Sequence, residues 1–219
     1  MTIEQLAAKC NVSRTTILRF TKKLSLKGFG EFKVHLKMEN DDGKQQVSKA
    51  VQVCMSYEAM MQDMIQQDFR EIIEAIYQAE RVFVYGTGMV QRTVAKEMKR
   101  LFYHGRKNFF DFNGGDEFKA ILKELNGRDL LIIISVSGER TSMLDFVKRA
   151  KIKNVPVISM TERLKNPLAE LSDYNLYIST TLVEQKLSHV EYKSMTSYFM
   201  LIEMLILRYL EYLEGKEEI

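Results

Sequence analysis

The chain has 219 residues, of which 46% are hydrophobic and 28% charged, the balance of a globular protein with material for a sizeable core. The longest apolar stretch, residues 198–213, contains three charged residues, and the N-terminus lacks a secretory signal pattern, so we expect no contact with a membrane. The only two cysteines, Cys10 and Cys54, lack metal-ligand spacing, which together with the missing signal favours a cytoplasmic protein without a metal or other cofactor.

The charge is unevenly distributed along the chain. Residues 1–39 hold eight Lys and Arg against three acids, a net charge of +5, so the rest of the chain carries −2. This favours a basic module that meets a polyanion, although basic helices are also common as plain solvated surfaces. The polar run at residues 39–46 interrupts the apolar periodicity and predicts a boundary. We therefore predict domains at residues 1–39 and 57–219, joined by a linker at 40–56.

The basic module is predicted to be helical. Thr2 and Gln5 fit a capping box at the start of a helix over residues 3–9. Residues 10–12 suit a tight turn, and Ser13 is placed to cap a second helix over residues 14–24. Apolar residues are expected to pack the two helices together: Ile3, Leu6, Ala7, Val12, Ile17, Leu18 and Leu24.

This arrangement is typical of a helix-turn-helix, whose second helix enters the major groove of double-stranded DNA with its N-terminal end. Arginine and threonine near that end suit base edges, whereas lysines further along suit phosphates. The alternative is a helical hairpin with no role in DNA binding. The predicted DNA-binding residues are Ser13, Arg14, Thr15, Thr16, Arg19, Lys22 and Lys23.

The sequence of the module resembles that of the DNA-binding domain of the RpiR family of transcription regulators. The matching segments are residues 3–7, 11–13, 16–20, 22–24 and 27–33. The resemblance implies a regulator that binds DNA. Family members carry helical sequence ahead of this motif, whereas Met1 here stands directly before it. We therefore expect the first helix of the domain to be missing and DNA binding by this chain to be weakened.

After the boundary, a helix over residues 57–79 precedes alternating strands and helices. Strands are predicted at residues 81–85, 108–112, 130–135, 155–160 and 174–178. Helices are predicted at residues 90–103, 117–125, 142–150, 167–171 and 192–213. Strands that are apolar almost throughout indicate a parallel sheet covered on both faces. The fold class is therefore α/β, a small helical domain followed by a three-layer domain with a mostly parallel sheet.

A glycine loop, Gly86-Thr87-Gly88, follows the first strand and opens a helix. Ligands of open α/β sheets bind beyond such strand ends, where backbone N–H groups and the helix dipole hold anions. A dinucleotide fingerprint would need a third glycine where Gln91 stands, although Asp111 at the end of the next strand is placed like a ribose-binding acid. An anion is therefore the favoured ligand.

A serine loop covers residues 135–142, directly after the most hydrophobic strand. It supplies alternating serines, a glycine and further donors at a helix start, which together suit one phosphate. A capped turn that binds nothing explains the same residues equally well. The candidate ligand residues here are Ser135, Ser137, Gly138, Arg140, Thr141 and Ser142.

Residues 68–212 resemble the SIS phosphosugar-binding domain. The matching segments are residues 86–88, 134–138, 157–161 and 167–173. The resemblance implies that Ser135, Ser137 and one of Thr141 and Ser142 grip the phosphate of a sugar phosphate, and that the glycine loop forms another wall. It further places Glu191 near the sugar, with Lys193 beside it. The sequence departs from the family pattern at Val90, Arg140 and Glu162.

Three function classes remain. The first is a DNA-binding regulator that a sugar phosphate modulates and that pairs through helices as a homodimer or homotetramer. A protein of this class is not an enzyme. The second is a sugar-phosphate isomerase, which needs a base near neutral pKa. Only His35, His104 and His189 are available for that role, and the basic module would have no purpose. The third is a degenerate regulator that retains only oligomerisation.

Overall fold

The computed structural model describes residues 2–10, 12–24, 26, 28–39, 48–162, 165–184 and 191–217. Ten helices and seven strands lie in these ranges. In chain order they are α1 (Ile3–Lys9), α2 (Arg14–Lys23), α3 (Phe29–Glu39), α4 (Lys49–Gln66), α5 (Arg70–Gln78), β1 (Arg81–Gly86), α6 (Met89–Phe102), β2 (Phe109–Phe112), α7 (Asp116–Glu124), β3 (Asp129–Ile134), α8 (Thr141–Ile152), β4 (Val157–Thr161), α9 (Pro167–Leu171), β5 (Tyr174–Tyr177), β6 (Thr181–Glu184), β7 (Glu191–Ser194) and α10 (Thr196–Glu217).

The chain divides into two compact units. The first comprises Met1–Gln67 and Ser179–Ser194, and the second comprises Asp68–Ile178 and Met195–Ile219. These bounds differ from the predicted domains. Residues 49–56, assigned to the linker, are helical and open α4, while residues 40–47 lie outside the described part of the chain. Ser48 explains the earlier start, because its hydroxyl accepts the Val51 N–H and caps the helix.

Both predicted helix caps of the basic module are confirmed. The Thr2 hydroxyl accepts the Gln5 N–H at 3.3 Å while the Gln5 side chain accepts the Thr2 N–H at 2.8 Å, a reciprocal capping box. The Ser13 hydroxyl accepts the Thr16 N–H at 3.1 Å. Each cap satisfies backbone donors that have no partner inside their own helix, so α1 and α2 begin where the sequence predicted.

The predicted packing between α1 and α2 is correct only in part. Ala7 and Ile17 are buried, but Val12, Leu18 and Leu24 are exposed. The helical period explains the exposure of Leu18, because Thr21 lies one turn after Ile17 on the same face, whereas Leu18 is rotated by about 100°. Thr21 is fully buried, and its hydroxyl donates to the Leu18 carbonyl at 2.9 Å, which satisfies the polar group within the helix.

The single helix predicted over residues 57–79 is in fact two helices, α4 and α5. Gln67 adopts an extended conformation after the end of α4. The Asp68 carboxylate then accepts both the Arg70 N–H and the Arg70 guanidinium, at 2.6–3.0 Å. These bonds lower the pKa of Asp68 to about 2, and they offer the backbone an alternative to continuing the helix.

The second unit contains a five-stranded sheet in the order β2-β1-β3-β4-β5, with every neighbouring pair parallel. The predicted α/β class is therefore confirmed. One face of the sheet, including Phe83 and Leu131, packs with buried residues of α7, α8 and α9. Helix α6 covers the other face and packs against α10, which completes three layers. Because β1 leads to β2 on one side and has β3 on the other, the strand order reverses between β1 and β3.

The start of the last predicted helix is wrong. Residues 191–194 form β7, which pairs antiparallel with β6, and the helix begins only at Thr196. Val183 and Ser194 of this hairpin are buried, and both belong to the first unit. No helix in the described part of the chain combines the length and apolar character needed to cross a membrane.

Candidate functional site

The glycine loop lies at the point where the strand order reverses. Gly86 ends β1, and the Thr87 N–H donates to the Ile134 carbonyl of β3 at 3.0 Å. A Cβ at Gly86 would stand 2.3 Å from the Gln91 and Arg92 backbone, so only glycine fits. Gly88 precedes α6 and provides no side-chain cap. The N–H groups of the first turn of α6 are therefore left for water or for an anion.

The serine loop is fastened to the glycine loop and to its own strand. Ser135 is 2% exposed, and its hydroxyl accepts the Thr87 hydroxyl at 3.2 Å and the Gly138 N–H at 3.1 Å. The Ser135 N–H donates to the Met160 carbonyl of β4 at 2.9 Å. Ser135 therefore organises the loop, a role that the sequence alone did not predict for it.

Gly138 makes the tight turn in the serine loop. Its φ is +70°, in the left-handed region, and a Cβ there would lie 2.0 Å from the Asn166 side-chain oxygen. Asn166 is buried, accepts the Ala169 N–H at 2.9 Å and donates to the Thr161 hydroxyl at 3.0 Å. The loop is thus seated against the start of α9, and Gly138 supplies backbone conformation, whereas a side chain at this position would be excluded.

The other predicted residues of the serine loop are accessible. Ser137 is half-buried, and its hydroxyl makes no hydrogen bond within the described part of the chain. Arg140, Thr141 and Ser142 are exposed at the start of α8, which has no side-chain cap. Two uncapped helix starts thus follow two adjacent parallel strands, β1 and β3, and the exposed hydroxyls and guanidinium add donors. This is an arrangement that suits a phosphate.

Two further residues lie near the loops, and the sequence did not predict them as site residues. Gln91 is 4% exposed, and its side-chain oxygen lies 2.3 Å from where a Cβ on Gly88 would stand. Its side-chain nitrogen is buried without a hydrogen-bond partner among the described residues. Tyr198, fully buried in the first turn of α10, donates to the Ser135 carbonyl at 3.4 Å. Burial and the nearby Glu162 raise the pKa of Tyr198.

Some predicted residues belong elsewhere. Glu191 and Lys193 lie on β7, in the first unit, whereas both loops lie in the second. Their place near a sugar stays a prediction. His104 follows the C-terminal end of α6, about 20 Å from the glycine loop that opens this helix. His189 lies outside the described residues.

The predicted DNA-facing residues lie on α2 and its cap. Thr15, Arg19, Lys22 and Lys23 are exposed on the face opposite the buried Ile17 and Thr21. Ser13 and Thr16 are also exposed, but they bond to each other at 2.9 Å in the cap. Arg14 is also exposed, and its guanidinium contacts Glu4 of α1 at 3.3 Å, because position 14 lies nearer than Arg19 to the packed side of the helix.

A capped helix-turn-helix with a basic outward face, together with an anion-suited site at the reversal point of a parallel sheet, defines a regulator class with a DNA-binding and a ligand-binding part. Comparison with known proteins agrees. Residues 1–43 match the helix-turn-helix domain of the rpiR family, and residues 75–208 match the SIS domain. The chain belongs to the rpiR family of helix-turn-helix transcription regulators that carry a SIS domain.

Individual relatives support this assignment. The chain is 30% identical to the HTH-type transcriptional regulator GlvR of Bacillus subtilis over 98% of its own length and 84% of that protein. The solved NanR protein of Vibrio vulnificus, complexed with ManNAc-6P, matches all of this chain and 82% of its own with a TM-score of 0.62 at 21% identity. The sugar isomerase domain of an RpiR transcription factor from Sphaerobacter thermophilus matches 80% of this chain and 100% of its own, with a TM-score of 0.61 at 22% identity. The two structures share the fold.

Proposed function

We propose that this regulator binds double-stranded DNA through α2 and that a sugar phosphate bound at the glycine and serine loops modulates that binding. The observation that carries the proposal is the pair of uncapped helix starts after β1 and β3, beside the Ser137 hydroxyl, which is left without a partner among the described residues. The ligand seen with NanR is a sugar phosphate, which supports the same class here. Ser137, Arg140, Thr141 and Ser142 would contact the phosphate directly.

Ser135 would contribute through its remaining proton and through the loop that it organises, while Gly86, Thr87, Gly88 and Gly138 would shape the wall of the site. Glu191 and Lys193 are proposed near the sugar. We further propose that the chain works in the cytoplasm without catalysing a reaction. The position of His104 beyond the far end of α6 supports this, because an isomerase would need its base beside the sugar.

We propose that the protein works as a homodimer or homotetramer, because paired recognition helices at a fixed separation read two half-sites. Gel filtration with light scattering at micromolar concentration is the measurement. A single monomeric peak, with DNA binding intact, would rule this part out.

The ligand proposal is tested by thermal shift with glucose 6-phosphate, fructose 6-phosphate and ManNAc-6P, with glucose as the unphosphorylated control. A specific ligand at 100 times its Kd stabilises the folded chain by about 2.7 kcal/mol, which raises Tm by several degrees. At least one sugar phosphate should raise Tm, and glucose should not. If no sugar phosphate raises Tm at millimolar concentration, the proposed ligand class is wrong.

A further inference from the structure

The β6–β7 hairpin is fastened to α4 at one point. Thr181 and Ser194 are directly paired across the hairpin. The Thr181 hydroxyl bonds to the Ser56 hydroxyl, and the Ser194 hydroxyl bonds to the Tyr57 hydroxyl. Because Ser56 and Tyr57 are consecutive residues of α4, a single turn of this helix holds both strands of the hairpin.

The hairpin is also connected to the helices that carry the DNA-facing residues. Ser179, just before β6, donates to Glu31 of α3 at 3.4 Å. Helix α3 packs along α4, with Gly30 so close to Ala59 that a Cβ would lie at 3.3 Å. The Phe32 ring of α3 packs edge-on against Phe20 of α2 at 5.7 Å between centroids. A continuous set of contacts therefore joins the hairpin to α2, the helix proposed to enter the major groove of DNA.

The other end of this connection reaches the serine loop through five consecutive residues, 194–198. Ser194 is fully buried at the end of β7, and the Tyr198 N–H donates to the Met195 carbonyl at 3.1 Å as α10 begins. The Tyr198 hydroxyl then donates to the Ser135 carbonyl. Residues 194–198 thus hold one bond to α4 and one bond to the loop proposed to bind phosphate.

We propose that residues 194–198 couple the two activities: a sugar phosphate on the serine loop acts on DNA affinity through Tyr198, Ser194 and Tyr57. This inference rests on the proposed function. Tyr198 is fully buried in close-packed surroundings, so a shift of the Ser135 carbonyl displaces the first turn of α10. That turn is one residue away from β7, and β7 moves with α4. The ligand changes DNA affinity by as much as it prefers one arrangement of this connection over the other.

The test measures the ratio of the DNA Kd values with and without saturating sugar phosphate, using the full chain. The DNA is a labelled duplex selected by the wild-type protein from a random pool, and the ligand is the sugar phosphate that gives the largest thermal shift. The variants are Tyr57→Phe and Tyr198→Phe, which each remove one hydroxyl and keep the ring. The matched control is Tyr192→Phe, since Tyr192 is exposed on the same strand as Ser194.

In the wild type we expect a saturating sugar phosphate to change the DNA Kd by about fivefold or more, in either direction. Tyr57→Phe should leave the Kd for DNA alone and the Kd for the sugar phosphate alone unchanged. It should bring the ratio of the two DNA Kd values to within about twofold of one. Tyr198→Phe should bring the ratio toward one likewise when the ligand is saturating, and Tyr192→Phe should keep the wild-type ratio. A wild-type ratio retained by both Tyr57→Phe and Tyr198→Phe would overturn the coupling route alone. If the wild-type chain binds no sugar phosphate, or if its DNA Kd does not change when sugar phosphate is added, both the proposed function and the coupling route are wrong.

Discussion

Thr87 donates a hydrogen bond of 3.2 Å to Ser135 across the carboxyl ends of β1 and β3. The Ser135 hydroxyl also accepts the Gly138 N–H, so both of its acceptor positions are used within the fold. This bond holds the glycine loop and the serine loop together before any ligand arrives. Because the site is already formed, ligand binding does not carry the free-energy cost of ordering the two loops.

Ser135→Ala and Ser137→Ala form a matched pair that separates loop order from ligand contact. Ser135→Ala leaves the buried Gly138 N–H without its partner, so we expect the free energy of unfolding to fall by about 1–3 kcal/mol. Ser137→Ala removes a hydroxyl that has no partner among the described residues, so stability should change by no more than about 0.5 kcal/mol. Both should reduce the rise in Tm given by a sugar phosphate.

Urea unfolding and thermal shift of the two variants provide the measurements. Equal stability losses for both would contradict the separate roles. A full ligand response in Ser137→Ala would remove this residue from the site.

Gly138→Ala tests the seating of the serine loop. Alanine in the left-handed region costs about 1–2 kcal/mol, and its Cβ would in addition displace the Asn166 amide that starts α9. We expect a total loss of about 2–4 kcal/mol and no ligand response. Gly215→Ala is the control, because its Cβ meets open space near the end of α10 and should change stability by at most about 1 kcal/mol. Comparable unfolding midpoints for the two variants would refute the seating.

At the opposite end of the sheet, the buried Asp129 carboxylate pairs with the partly exposed Arg81 guanidinium. The Asp129 carboxylate, with no exposed side-chain area, accepts two hydrogen bonds from the Arg81 guanidinium at 2.8 and 2.9 Å and the Asn126 N–H at 2.8 Å. Asp129→Ala leaves the Asn126 N–H without its partner and removes the bonds to a partly exposed guanidinium, so it should cost about 1–3 kcal/mol. Asp116→Ala, which removes an exposed pair with Lys119 at 3.7 Å, should cost less than about 0.5 kcal/mol. Calorimetric unfolding compares them, and a similar Tm for both would show that burial does not matter here.

Local chemistry made much of the fold predictable. The β1, β3 and β4 strands are almost entirely apolar and buried on both faces, so their parallel pairing was readable from the sequence. The caps at Thr2 and Ser13 depend only on residues three positions apart. The two loops were found for the same reason, since each directly follows a strand.

What was missed depends on contacts between distant residues. The strands β6 and β7 have four residues each, and their place is set by Ser56 and Tyr57, more than a hundred positions away. The closeness of Gln91 to Gly88 and of Tyr198 to Ser135 follows from how α6 and α10 pack. Nothing in the local sequence distinguishes these side chains from ordinary helix residues.

The face of α2 opposite its buried side makes a prediction about how DNA is read. Arg19 is exposed there without an ion-pair partner among the described residues, whereas Arg14 contacts Glu4. Arg19→Ala should therefore cost about 1–3 kcal/mol on the selected duplex and little on random DNA, because a base contact carries sequence information. Lys23→Ala should weaken binding to both duplexes alike and reduce the salt dependence by about one ion, as expected for a phosphate contact.

Arg14→Ala serves as the internal comparison, and it should lose less sequence preference than Arg19→Ala because part of its guanidinium is held by α1. Fluorescence anisotropy on selected and random duplexes at several salt concentrations measures all three variants. If Arg19→Ala lowers affinity equally on both duplexes, Arg19 contacts phosphate and the base readout must come from other residues of α2. If Arg14→Ala instead loses the larger share of sequence preference, the ion pair with Glu4 opens on binding and Arg14 reads a base.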